Sequence, residues 1–281
     1  DGTRTPLEDI IAIFEATAAA GASKLAIADT VGFIRPLAMR YLMSHIRDGL
    51  SNSVRQKIPL SVHCHNDFGL ATANTLAAVE EGATYLHTSL LGFGERAGIA
   101  PFEEVVTTLE LLYNIDTGVD MERIYRLAQL AEKSFALPIQ FHKPIVGDTT
   151  FGHEVDEHVE GMLAHPLMFE PFPPEIVGRE TSLFVGRNTG QTLLQSLLEK
   201  ASIRASARQM DEILRHIKGP QESLDKGEAQ MTFYQVKKLL RDLQKGLDMH
   251  EFWRVVEQVT RQKPKLPQPG SSGKSVTPVT N

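Results

Sequence analysis

Apolar residues recur at helical spacing from Pro6 to Ala20, where Leu7, Ile10, Ile11, Ile13 and Phe14 carry the pattern, and the run stops at Gly21. Leu25-Ala26-Ile27-Ala28 follows as a short apolar run that reads as a buried strand. The cycle then repeats. The pattern predicts a helix over about 36–48, a strand over 58–62, a helix over about 70–81 stopped by Gly82, a strand over 84–90 and a helix over 102–113. Strands that alternate with helices predict a parallel sheet, because a parallel crossover needs a helix-length connection. After about residue 116 the alternation stops, and helical patterns take over at 121–136, 190–200, 207–218, 233–243 and 250–259. Between them, 140–188 is loop-rich, with Pro166, Pro171, Pro173 and Pro174, and reads as a structured linker or lid. These shifts predict a strand–helix region over 1–116, a linker or lid over 117–189, a helical subdomain over 190–262 and a disordered Pro/Ser/Gly/Thr tail over 263–281.

Three strands cannot close a barrel of eight. The α/β part is therefore either a small open sheet or the C-terminal part of a (β/α)8 barrel followed by a mainly helical subdomain. In both architectures ligands bind at the C-terminal ends of the strands.

Composition narrows the function classes. The chain has 281 residues, 42% of them hydrophobic, and 29 Lys+Arg against 35 Asp+Glu give a net charge of −6. That mild acidity, with no basic stripe, argues against nucleic acid as partner. No apolar run approaches the roughly 20 residues needed to span a bilayer, and the first residues, Asp1-Gly2-Thr3-Arg4, lack the apolar stretch expected of a signal peptide. The lone Cys64 forms no internal disulfide, so a reducing, cytoplasmic setting is expected.

Three segments at strand ends carry candidate chemistry. His63-Cys64-His65-Asn66-Asp67 is the strongest: side chains two apart on a strand share a face, so His63 and His65 can present two imidazoles to one ion while Cys64 points away. Asn66 and Asp67 are expected to orient those imidazoles. The bland alternative is two histidines that merely hydrogen-bond in a loop. Gly92-Phe93-Gly94-Glu95-Arg96-Ala97-Gly98 suggests tight backbone around an acid–base pair, read in isolation as a turn with a structural Glu95–Arg96 ion pair. Asp29-Thr30 places a carboxylate and a hydroxyl at the same end of the sheet, with Asp29 as a helix cap the alternative. Farther on, a helix over 153–160 would align His153 with Glu157 and Glu160, giving either a second metal site or a solvated charged face.

In this order and at strand ends, Ile27-Ala28-Asp29-Thr30-Val31-Gly32, Val62-His63-Cys64-His65-Asn66-Asp67 and Leu91 to Gly98 resemble the 2-isopropylmalate synthase and homocitrate synthase family. That family shares a metal-dependent (β/α)8 barrel with hydroxymethylglutaryl-CoA lyase. Lys143-Pro144-Ile145-Val146-Gly147, His153, His158 and Phe169-Glu170-Pro171-Phe172 resemble its segment between barrel and helices. The resemblance implies condensation of acetyl-CoA with a 2-oxo acid at a divalent metal (Zn, Mn or Mg) held by His63 and His65. It implies Thr30 and Arg4 as substrate-binding residues, His158 as catalytic acid–base, Asn66, Asp67, Glu95 and Arg96 as residues shaping the mouth, and a homodimer. The carboxylate metal ligand, a substrate arginine and a catalytic glutamate of the family have no counterpart here, so the resemblance implies a C-terminal portion lacking about five strands, expected to bind metal weakly alone.

Gly98-Ile99 resembles the lysine-pathway homocitrate synthases and favours 2-oxoglutarate, whereas Phe169 stands where those synthases carry a tyrosine. Three competing readings remain: a synthase using another 2-oxo acid, a lyase running the reverse cleavage, and a non-catalytic fragment or paralogue with a dimerisation or regulatory role.

Overall fold

The computed structural model describes residues 1–222, 226–244 and 249–262. The tail expected to be disordered, 263–281, lies outside the described residues. The chain falls into two compact units, Asp1–Ser223 and Leu224–Asn281. The expected boundaries after 116 and 189 both fall inside the first.

The first unit opens with α1 (Leu7–Ala19), β1 (Leu25–Asp29), α2 (Pro36–Gly49), α3 (Asn52–Lys57), β2 (Leu60–Cys64), α4 (Ala71–Glu80), β3 (Ala83–His87) and α5 (Phe102–Leu111). The three strands form one parallel sheet in the order β1-β2-β3, with Asp29 beside Cys64 and His63 beside His87. The strand–helix alternation of the sequence is therefore the alternation of the fold. Along each strand one set of side chains packs into the helix layer: Leu25 and Ile27, then Leu60, Val62 and Cys64, then Ala83. They meet Ile10 and Phe14 of α1, Met39, Met43 and Ile46 of α2, Ala77 and Ala78 of α4, and Val105 and Leu109 of α5. Complete burial of a side chain such as Met43 contributes about 1.5–3 kcal/mol. The intervening positions Ala26, Ala28, Ser61 and His63 fall on the other face by the two-residue period, and a register shift between Leu60 and Ser61 sets Tyr85 beside Ser61 and His87 beside His63.

Several boundaries differ from the predicted ones. β2 begins at Leu60, after Pro59, and runs through His63 to Cys64. β3 stops at His87, three residues early, because 90–92 form a tight turn in which Leu91 takes a left-handed conformation (φ 57°) that no strand continues through. The short α3 lies in a polar segment with no apolar period to announce it. The stretch 140–188, predicted to be mostly loop, contains α7 (Asp156–Ala164) and a two-stranded parallel sheet of β4 (Gly152–His153) and β5 (Ser182–Leu183).

Between α5 and that sheet, α6 (Ile124–Phe135) packs Ile124 and Ala128 with Val106, Val146, Phe151 and Val177 in a second, smaller core. The unit continues through α8 (Gln191–Lys200) and α9 (Ala207–Glu222), with α7 packed on α8 and α8 on α9. The second unit contains α10 (Lys226–Gln244) and α11 (Met249–Thr260). None of the described helices is long and apolar enough to cross a membrane.

Candidate functional site

β2 delivers His63 within the strand and His65 one residue past its end, where an isolated bridge to Ile99 extends the strand path. Both rings therefore lie on the same side, with Nε2 of His63 3.3 Å from Nε2 of His65 and ring centroids 5.0 Å apart. Two nitrogens bound to one ion at about 2.1 Å each, at a roughly tetrahedral angle, sit about 3.4 Å apart. The pair thus fits the bite of a divalent metal. Among the described residues no group of three or more His, Cys, Asp or Glu side chains is placed to hold one, so the pair on its own offers two donors.

Burial first, then the neighbouring His65 and His87, holds the His63 imidazole below its usual range, which favours its neutral form. Cys64 faces the helix layer and is fully buried. Burial pushes its thiol up to about 12. The folded protein is expected to resist a thiol-reactive disulfide reagent at pH 8 and to react with one equivalent once unfolded in urea. Stoichiometric modification of the native protein within minutes would contradict this placement.

At the end of β1, Asp29 is completely buried. Its Oδ1 accepts the Phe33 amide (3.1 Å) and the Thr3 hydroxyl (3.3 Å), while its Oδ2 has no protein partner. Burial raises its carboxyl above the usual range. Asp29 thus closes the turn after β1 and does not cap α2, which starts only at Pro36. Thr30 is exposed beside it. Arg4 turns back onto Asp1 in an exposed ion pair, leaving Thr3 as the residue of that segment that reaches Asp29.

The expected Glu95–Arg96 pair is corrected by the structure. Arg96 grips Asp67 with two parallel bonds, Nε to Oδ1 at 2.8 Å and Nη2 to Oδ2 at 2.9 Å, and Nη2 also donates to the Thr30 carbonyl at 2.6 Å. The turn puts Arg96 at φ 59°, and its side chain leaves toward Asp67 while Glu95 stays exposed. The Asp67 carboxyl is held below its usual range, chiefly by that guanidinium. A second correction concerns Asn66 and Asp67, expected to orient the imidazoles. Asn66 Oδ1 instead accepts the Ala71 amide at the start of α4 (3.1 Å), and Asp67 is engaged by Arg96. Together Arg96, Asp67 and the Thr30 carbonyl tie all three strand-end segments into one rim.

The other candidate cluster lies on β4 and α7. His153 belongs to the strand, so it does not share a helical face with Glu157 and Glu160 as expected, the helix beginning only at Asp156. Its Nε2 faces the buried Glu170 (3.4 Å), whose Oε1 also accepts the Thr181 hydroxyl at 2.6 Å. Replacing Glu170 with alanine orphans both groups and is expected to cost about 2–3 kcal/mol in urea unfolding. An unchanged midpoint would show that the pairing carries no stability. His158, on α7, stacks on Phe169 with centroids 4.4 Å apart and stands 6.5 Å from His153. Among the described residues His158 shares no hydrogen bond, ion pair or ring contact with His63 or His65.

Residues 1–131 match the HMGL-like family model, and residues 145–225 match the homocitrate synthase post-HMGL domain-like model. A 2-isopropylmalate synthase of Methanocaldococcus jannaschii is 40% identical over 222 residues, covering 78% of this chain and 42% of that protein. The chain belongs to the HMGL-like family, with a homocitrate synthase post-HMGL domain-like region following it. An (R)-citramalate synthase of the same organism is 37% identical over 218 residues, covering 78% of this chain and 43% of that protein. A hydroxymethylglutaryl-CoA lyase structure from Pseudomonas aeruginosa is 24% identical, covers 48% of this chain and 45% of that one, and superposes with a TM-score of 0.43. The chain spans less than half the length of the curated synthases it matches.

Two features of this HMGL-like chain went unnoticed in the sequence. His87 stands directly beside His63 across β2 and β3, with ring centroids 5.5 Å apart and Nε2 3.4 Å from the Ser61 hydroxyl. Its strand register was the signal that could have found it. Lys143 is a buried cation whose ammonium lies 3.0 Å from Glu103 and 2.8 Å from Glu104, a pairing of residues about 40 positions apart that no local pattern announces.

Proposed function

We propose that the protein condenses acetyl-CoA with a 2-oxo acid, with His63 and His65 among the ligands of a divalent metal. The observation that carries this reading is the 3.3 Å separation of the two Nε2 atoms at the end of β2, in a chain whose relatives are named as such synthases. When bound, the metal supplies Lewis-acid polarisation of the 2-oxo carbonyl. Thr30 offers its hydroxyl to the substrate carboxylate, because Arg96 occupies its carbonyl and leaves the side chain at the exposed rim. Arg4 is a second anion-binding candidate at the end of β1. Asn66, Asp67, Glu95 and Arg96 shape the rim, and His158 moves the proton between the acetyl methyl group and the new alkoxide. The fuller reading places the enzyme in the cytoplasm as a homodimer. Gly98-Ile99 keeps 2-oxoglutarate, and with it lysine biosynthesis, as the favoured assignment, and the relatives' names raise 2-oxoisovalerate and pyruvate as competitors.

The test is a CoA-thiol release assay on the native protein with acetyl-CoA, Zn²⁺, Mn²⁺ or Mg²⁺, and each of the three 2-oxo acids. Release that depends on both a 2-oxo acid and the metal, and stops with chelator, is expected. The acid giving the highest kcat/KM names the substrate. No release with any of the three overturns the proposal.

A further inference from the structure

The loop that carries Arg96 is held from outside the sheet. Leu91, at its entrance, has φ 57°, a left-handed conformation that a leucine adopts only under constraint. The constraint is visible: the Leu91 amide donates to Oε2 of Glu103 at 3.0 Å. Glu103 is 2% exposed, and a carboxylate that deeply buried keeps its charge only beside a partner. The partner is Lys143, which is itself fixed from several sides. Its amide donates to the Gln140 carbonyl, and its own carbonyl accepts the Gly147 amide (2.9 Å) and the Thr150 hydroxyl (3.0 Å). The Gly147 carbonyl in turn accepts Nη1 of Arg179 at 2.6 Å. Glu104, the second carboxylate on Lys143, accepts the Thr72 hydroxyl of α4 at 2.8 Å.

Burial alone would push the Lys143 ammonium down, but Glu103 and Glu104 outweigh it and leave the group above its usual range, firmly charged. Lys143 falls between the two family matches, which end at residue 131 and resume at 145, so neither covers it.

We propose that Lys143 is a positioning residue for the strand-end site: its ammonium fixes Glu103 against the Leu91 amide, and so sets the glycine loop through which Arg96 reaches Thr30 and Asp67. The same side chain registers the segment leading to His153 and His158 against that loop. What the rim does rests on the acyltransfer reading; the linkage itself rests on these contacts. Without the ammonium, Glu103 is a buried, unpaired carboxylate. It then takes up a proton or swings toward water, and either change weakens its charge-assisted bond to Leu91. Leu91 is then free to relax to negative φ, and the path to Arg96 shifts.

The experiment compares K143M with the wild-type chain by NMR, following amide hydrogen exchange at Leu91 and the Nε–H signal of Arg96. Exchange at Leu91 at least ten-fold faster relative to Val62 in β2, with the Arg96 signal moved toward that of a free guanidinium, is expected. E104Q, which keeps the Lys143–Glu103 pair, is expected to leave both signals in place, and K143R to restore most of what K143M loses. A folded K143M with both signals unchanged overturns the proposal. Should K143M fail to fold, E103Q carries the test. Its amide oxygen can still accept from Leu91 but lacks the charge that Lys143 holds, so faster Leu91 exchange supports the proposal and unchanged exchange overturns it. Neither signal depends on turnover, so a failed acyltransfer assay leaves this result standing, and the reverse also holds.

Discussion

Replacing either His63 or His65 with alanine in the native protein is expected to empty the metal site and lower 2-oxo-acid-dependent CoA release by about a thousand-fold. Polarisation of a carbonyl by a bound metal is worth several kcal/mol of transition-state stabilisation, and each ~1.4 kcal/mol is a factor of ten. Either substitution leaves one imidazole where two nitrogens stand 3.3 Å apart. The fold should survive, because neither ring belongs to the helix-packed core that holds Leu60, Val62 and Cys64. His142, exposed and bonded to the Thr149 hydroxyl, serves as the comparison: its alanine variant should keep metal content and rate. Metal analysis of the purified variants separates the outcomes. Full metal content in both His63→Ala and His65→Ala would remove the two histidines from the ligand set, whatever the rate does.

That the histidine pair was readable at all follows from the two-residue period of a strand, which needs no knowledge of distant residues. The same period placed Cys64 on the opposite face. Strand existence was legible for a related reason: Leu25 to Ala28 and the run ending at Val62 are apolar and bounded by polar, glycine-containing segments. What the sequence withheld is what long-range geometry decides. Glu95 is the neighbour of Arg96 and was its natural partner by proximity, yet the left-handed backbone at Arg96 sends the guanidinium to Asp67, 29 residues away. The early end of β3 has a similar origin, since the left-handed turn at Leu91 is held partly by the long-range bond from its amide to Glu103. His153 looked helical because His153, Glu157 and Glu160 are spaced for it, but its pairing with Glu170 and the alignment of β4 with β5 override that local preference. The prolines that made 140–188 read as loop sit mainly in 166–174, beyond the end of α7, and so never opposed that helix.

Gly98→Ala is expected to destabilise the protein by about 3 kcal/mol and to loosen the rim at the same time. Two costs combine at this position. Gly98 has φ 85°, where an L side chain adds on the order of 1–2 kcal/mol of strain. A methyl group built there also lands on the Gly92 carbonyl oxygen, and forcing backbone apart in a packed turn costs about 1–3 kcal/mol more. That carbonyl accepts the Ile99 amide at 3.1 Å, and the Gly98 carbonyl accepts the Asn66 amide at 2.9 Å. The clash therefore pulls on the bonds that seat the glycine loop against the segment carrying His65. Gly118 separates the two costs, because it also has positive φ (70°) but nothing lies within 4 Å of an added Cβ. Gly118→Ala should lose only the conformational share, about 1 kcal/mol. Urea unfolding of the two variants measures the difference, which is the steric share. Equal losses would mean that the loop yields around Gly92, and that the close approach of Gly98 to Gly92 does not hold the rim in place.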